Sequence, residues 1–181
     1  MNTARTSGVE FCEIFRETVQ REGAEKLLEW MRLSGIMSDP ASSRHHLAVP
    51  GGLCRHSINV YRRLKWLCEA ERARNPGFRM PEEESMAIVG LLHDLCKVGL
   101  YRQGSKGYSV YDEFPFGHGE KSVFLIQKYM DLTEEEALAI RWHMASWNDG
   151  EKKTAGDVFE KHELALLLHM ADELATFVDE R

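Results

Sequence analysis

Apolar residues recur at three- and four-residue steps over most of the chain. Between positions 9 and 33 they fall at Phe11, Ile14, Phe15 and Val19, then at Leu27, Leu28 and Met31. This spacing predicts two amphipathic helices broken at Gly23. The period is lost from 34 to 52, a stretch of Ser, Pro and Gly that reads as an irregular segment covering a site or connecting helices. Its adjacent His45 and His46 read as solvated loop residues, with substrate contact as the alternative. From Leu53 the stripe returns as Leu53, His56, Val60, Leu64 and Leu67, which turns His56 inward.

Pro76-Gly77 and Pro81 mark a loop, and acidic residues at 82–84 suit the first turn of a helix whose pattern runs from 87 to 99. Taking His93 as zero at about 100° per residue, Asp94 falls at about 100°, Lys97 at about 40° and Gly90 at about 60°. Ile88, Leu91, Leu92, Leu95 and Val98 cover the opposite side. The polar trio therefore shares a face, and Gly90 is expected to leave room for a ligand beside it. An ordinary satisfied polar pair is the plain alternative for His93-Asp94.

Helical spacing stops between 99 and 117, where two short extended runs flank Gly-Ser-Lys-Gly and predict a hairpin near 100–112. Tyr101, Tyr108 and Tyr111 stand there with Arg102 and Lys106, as structural tyrosines of an exposed hairpin or as contacts to a base and a phosphate. His118 opens a helix over 120–130. Thr133 and Glu136 form a capping box, and the helix they start aligns Glu136, Ile140, His143 and Trp147. Positions 144–161 read as a loop, and 163–179 as a last helix with core stripe Leu164, Leu168, Ala171, Ala175 and Val178. Asp172 borders that stripe, a costly place for a carboxylate unless it is paired or metal-bound. His162 and His169 fall off the line.

Composition narrows the function. The 181 residues, 43% hydrophobic, suit one domain, with packing helices and a loop over 1–52 and a core over 53–179. A net charge of −6 argues against neutralising the phosphates of a long nucleic acid and favours a small anionic substrate. Four cysteines without a CxxC pair, and an N-terminus without an apolar leader, predict reduced thiols and a cytoplasmic location. No apolar run is long enough to span a bilayer.

His56, His93, Asp94, His118, His143 and Asp172 thus fall at inward or helix-terminal positions of five helices. Such nitrogen and oxygen donors suit one or two divalent ions, Mn, Fe, Co, Ni or Zn, with Mg possible, and do not select among them. Asp94 is suited to bridge two ions.

His56, then His93-Asp94, then Asp172 follow the order of the H…HD…D signature, and the chain from 53 to 179 resembles the HD superfamily of metal-dependent phosphohydrolases. His93-Asp94-Leu95-Cys96-Lys97 resembles the HD-x-x-K form, and His118 and His143 resemble the extra histidines of its dinuclear branches. Cys96 stands where the related HDIGK motif has glycine, and no GYP motif follows, so a cyclic-dinucleotide phosphodiesterase of that subfamily is not expected. The resemblance implies an all-α HD-domain bundle in which His56, His93, Asp94 and Asp172 bind one metal and Asp94, His118 and His143 a second. The expected reaction is hydrolysis of a nucleotide or dinucleotide phosphate ester or anhydride by metal-activated water. Lys97 is expected to meet a phosphate oxygen or to pair with a carboxylate, and Arg55, Arg102 and Lys106 are weaker candidates for distal contacts. With one metal, His118 or His143 would instead donate a proton or hold phosphate. The alternatives are a nucleotide-binding signalling module without catalysis and an oligonucleotide exonuclease.

Overall fold

A computed structural model describes the backbone of residues 3–145 and 149–181 and the side chains of 6–145 and 150–181. Its helices are α1 (Thr3–Thr18), α2 (Ala24–Ser34), α3 (Gly52–Arg74), α4 (Glu83–Leu92), α5 (His118–Gln127), α6 (Glu134–Trp142), α7 (Asp149–Lys161) and α8 (Glu163–Leu174). The only sheet among the described residues is the antiparallel hairpin β1 (Tyr101–Gly104) and β2 (Gly107–Val110), with Tyr101 opposite Val110. The fold is all-α, as the resemblance implies, with the hairpin as an insertion.

The long helix α3 is the spine, packing against α1, α4 and α8, while α6 joins α5 to α8. Phe11, Phe15, Leu27, Leu28 and Met31 of α1 and α2 are fully buried in the same hydrophobic cluster as Leu53 and Leu64 of α3 and Leu168 of α8. Burying each such side chain stabilises the fold by about 1.5–3 kcal/mol before entropy is counted. The polar pattern also produces specific joints. Arg21, after α1, donates to both carboxylate oxygens of Glu136 at 2.5 and 2.9 Å. Glu136 in turn closes the expected capping box with Thr133.

The central helix is shorter than its 87–99 pattern. It ends at Leu92, Asp94 departs from helical geometry (φ −99°, ψ 19°), and Leu95–Lys97 form a 3-10 turn. Residues three apart eclipse in a 3-10 turn, which keeps Lys97 over Asp94 although the wheel spacing no longer applies. Gly90 also has a different task from the one expected. A Cβ there would lie 2.7 Å from Tyr61 Cα, so the absent side chain lets α4 approach α3 and opens no space for a ligand.

Two further expectations need correction. The stretch 144–161 is not a loop throughout, because α7 begins at Asp149 and buries Ala155 and Val158 three residues apart. Its Gly156 faces open space, where a weak helix former is tolerated. The last helix changes to a π-type turn over Ala175–Asp179, and the extra residue in that turn leaves Val178 56% exposed instead of in the core. Trp147, expected on the line of His143, lies outside the described residues.

Candidate metal centre

Each proposed donor comes from the end or inward face of a helix. α3 carries His56, the end of α4 supplies His93 and Asp94, α5 begins with His118, His143 caps α6, and α8 carries Asp172. His56, His93, Asp94, His143 and Asp172 are buried, while the His118 side chain is 36% exposed and opens the cluster to solvent.

The two oxygens of Asp94 face different partners. On the Oδ2 side, His56 Nε2 lies at 3.4 Å and His93 Nε2 at 3.6 Å. His56 Nε2 is also 3.2 Å from Asp172 Oδ1 and 3.3 Å from His93 Nε2. On the Oδ1 side, His118 Nε2 lies at 2.8 Å and His143 Nε2 at 3.6 Å. Lys97 Nζ sits 2.5 Å from Oδ2.

The far nitrogens explain why these Nε2 atoms point inward. His93 Nδ1 donates to Gly90 O at 3.0 Å, and His143 Nδ1 donates to Ile140 O at 2.7 Å. A carbonyl only accepts, so both rings carry their proton on Nδ1 and present a bare Nε2 when neutral. His56 Nδ1 meets the Glu180 carboxylate at 3.1 Å, and Asn59 holds that carboxylate at 2.9 Å. His143 Nε2 is buried without a hydrogen-bond partner. His169 Nδ1 donates to the His143 carbonyl at 2.7 Å and stacks on Phe159, which buttresses the end of α6.

Electrostatics follow the same division. Burial pushes His93 down to about 3, with Asp94 opposing, so it is a neutral donor. Burial also disfavours charge on His56, but Asp172, Asp94 and Glu180 outweigh it and raise its pKa well above the ordinary imidazole value. Burial disfavours charge on Asp94 too, yet Lys97 and the surrounding imidazoles hold it well below the usual carboxylate range. Asp172 is likewise depressed against its burial, chiefly by His56. Lys97 is desolvated but kept charged by Asp94.

Four groups of potential ligand atoms overlap here: His46, His56 and Glu180; His56, His93 and Asp172; His93, Asp94 and His143; and Asp94, Cys96 and His118, each with its atoms within 4.8 Å of one another. Divalent-ion chemistry fits this donor set, since convergent bare Nε2 atoms and ionised carboxylates in a buried site call for a cation.

The three outlying cations are not brought in. Arg55 lies 3.6 Å from Glu10 of α1, Arg102 stacks over Tyr111 on the exposed hairpin, and Lys106 is exposed at the hairpin turn. Conversely, the site has neighbours that the periodicity left out. Glu180 follows the π-type turn, beyond any readable stripe. His46 turns inward, its ring centroid 4.9 Å from that of His56 and its Nε2 buried without a partner, whereas its loop context predicted solvation. The loop is fastened by Ala41 N–H donating to Leu47 O and by Leu53 N–H donating to Asp39 O. Gly52 passes so close that a Cβ would lie 2.1 Å from Leu47 O. Cys96 stands against His118, its thiol pushed up to about 12, chiefly by burial and the Asp94 charge.

Comparison with known proteins agrees with this geometry. The family model described as HD domain matches residues 53–176, which takes in all six donors. No curated protein and no solved structure matches the chain. With a match over more than half its length, the chain belongs to the HD superfamily of metal-dependent phosphohydrolases.

Proposed function

We propose that the protein hydrolyses a phosphate ester or anhydride of a nucleotide or dinucleotide, with two divalent ions bound on either side of Asp94. The observation that carries this reading is the convergence of four Nε2 atoms on the two Asp94 oxygens, His56 and His93 toward Oδ2, His118 and His143 toward Oδ1. His56, His93, Asp94 and Asp172 would hold one ion, and Asp94, His118 and His143 the other. Imidazole-rich centres of this kind favour Mn, Fe, Co, Ni or Zn over Mg. Bound ions supply a water of lowered pKa and offset charge on the phosphoryl and leaving oxygens.

The protein's own groups orient and balance that chemistry. Lys97 keeps Asp94 ionised, and as a desolvated ammonium at the rim of the cluster it is the nearest positive charge for a phosphate oxygen. The partial exposure of His118 marks the side from which substrate would enter. Should one ion bind, His118 and His143 are free to donate a proton or hold phosphate. Arg55, Arg102 and Lys106 contribute least, since Glu10 engages Arg55 and the hairpin holds the other two at the surface. The acidic balance, with net charge −6, fits a small substrate better than a long nucleic acid. No helix among the described residues is long and apolar enough to cross a membrane. The four free cysteines suit a reducing compartment such as the cytoplasm.

The test is a panel of phosphomonoesters, cyclic nucleotides and dinucleoside polyphosphates, assayed with Mn, Co or Fe supplied. Turnover of at least one class is expected. Tight nucleotide binding without turnover of any member would favour a signalling module, and activity confined to oligonucleotides with steep salt dependence would favour an exonuclease.

A further inference from the structure

Cys12, Cys54 and Cys68 belong to the hydrophobic core, but Cys96 stands outside that cluster and beside the acidic and imidazole groups. Its Sγ lies 3.3 Å from His118 Nδ1 and 3.8 Å from His118 Nε2. Sγ, an Asp94 oxygen and a His118 nitrogen lie within 4.8 Å of one another. In a tetrahedral zinc site, with bonds of about 2.3 Å to sulfur and about 2.0–2.1 Å to nitrogen, the sulfur and nitrogen stand about 3.5 Å apart. The separation to Nε2, the nitrogen that faces Asp94, is 3.8 Å, close to that edge.

The position of the thiol is fixed from both sides. Cys96 lies in the 3-10 turn after Asp94, and its N–H donates to Ser122 Oγ at 3.0 Å. Ser122 is buried one turn after His118 on α5, so the hydrogen bond ties the turn to the helix that carries His118. A second observation points independently to a ligand at this corner. His143 Nε2 is fully buried and unpartnered, 3.6 Å from the same Asp94 Oδ1 that His118 Nε2 meets at 2.8 Å.

We propose that Cys96 is a thiolate ligand of the ion held by Asp94, His118 and His143, so that this centre is a sulfur-containing site that selects zinc or cobalt. The inference rests on the two-ion reading of the site. Coordination forms a metal–sulfur bond and releases the thiol proton to solvent, with no change of oxidation state. The two centres then differ in kind. One has nitrogen and oxygen donors alone, while the softer one discriminates against magnesium and manganese.

X-ray absorption of the zinc-loaded protein tests this directly. It should show a sulfur shell at about 2.3 Å. The cobalt-loaded protein should show a thiolate-to-cobalt charge-transfer band that Cys96→Ser removes, with affinity for one of two zinc ions falling at least tenfold. A shell of nitrogen and oxygen alone with zinc bound, or a band that survives Cys96→Ser, overturns the assignment and leaves the rest of the centre standing. A protein that binds no metal fails both this inference and the proposed function. If Cys96→Ser does not fold, the wild-type absorption spectrum still decides.

Discussion

His56 Nε2 lies 3.3 Å from His93 Nε2, although the two residues sit 37 apart in sequence. The His93 Nδ1 proton is committed to a backbone carbonyl, so its Nε2 is a lone pair, and the facing His56 Nε2 must bring a proton or share a cation. The surrounding carboxylates raise the pKa of His56, so a proton occupies that place until a metal displaces it.

Metal affinity should therefore depend on pH in a defined direction. The His56 proton is held to a higher pH than that of an ordinary imidazole, and below its raised pKa the ion on the Oδ2 side of Asp94 must expel it to bind. Competition titrations with a chromophoric chelator should show affinity falling about tenfold per pH unit as pH is lowered in that range. An affinity independent of pH would contradict the shared place.

Glu180 should act as a positioning residue through His56. Its carboxylate accepts from His56 Nδ1 at 3.1 Å, which directs Nε2 toward Asp94 and Asp172. Glu180→Ala should weaken metal binding by about 10–100-fold. Glu180→Gln, whose amide oxygen can still accept from Nδ1–H, should lose less. Equal affinity in both variants and wild type would remove this role.

Gly90→Ala separates the two tasks considered for that glycine. Helix propensity alone would make alanine stabilising by up to about 1 kcal/mol. Because the added Cβ would meet Tyr61 backbone at 2.7 Å, net destabilisation of about 1–3 kcal/mol is expected in chemical denaturation. A more stable variant with weakened substrate binding would restore the idea of ligand room.

Glu136 should govern part of the acid limit of stability. It is fully buried, and although burial disfavours its charge, Arg21, the Thr133 backbone and Ser85 hold its pKa below the ordinary value. Its folded pKa is the lower one, so its contribution is complete above the unfolded pKa and is lost as pH falls through the folded value. Glu136→Gln should flatten the acid side of a stability-against-pH profile. Glu136→Ala, which leaves Arg21 only Glu84 and the Asp131 carbonyl as partners, should cost about 1–3 kcal/mol at neutral pH.

The helical stripes pointed to the candidate donors because metal ligands drawn from packed helices would have to occupy inward positions. His56, His143 and Asp172 could be read that way, and His93-Asp94 gained meaning from them. Local geometry was less legible. The 3-10 turn at Leu95–Lys97 and the π-type turn at Ala175–Asp179 alter phase without a distinctive residue, so the extent of α4, the exposure of Val178 and the arrival of Glu180 were hidden. α7 was masked by Gly150 and Gly156, which helices tolerate on a solvent face. His46 could not be placed, since only the fastening of its loop to α3 decides which way the ring turns.

Metal content of wild type and of Asp94→Ala, Asp172→Ala and His143→Ala tests the bridging role of Asp94 most directly. Two ions per wild-type chain are expected, with Asp172→Ala losing the ion on the Oδ2 side, His143→Ala losing the other, and Asp94→Ala losing both together with activity. Asp94→Ala that keeps full metal content and an undiminished rate would contradict the account at its centre.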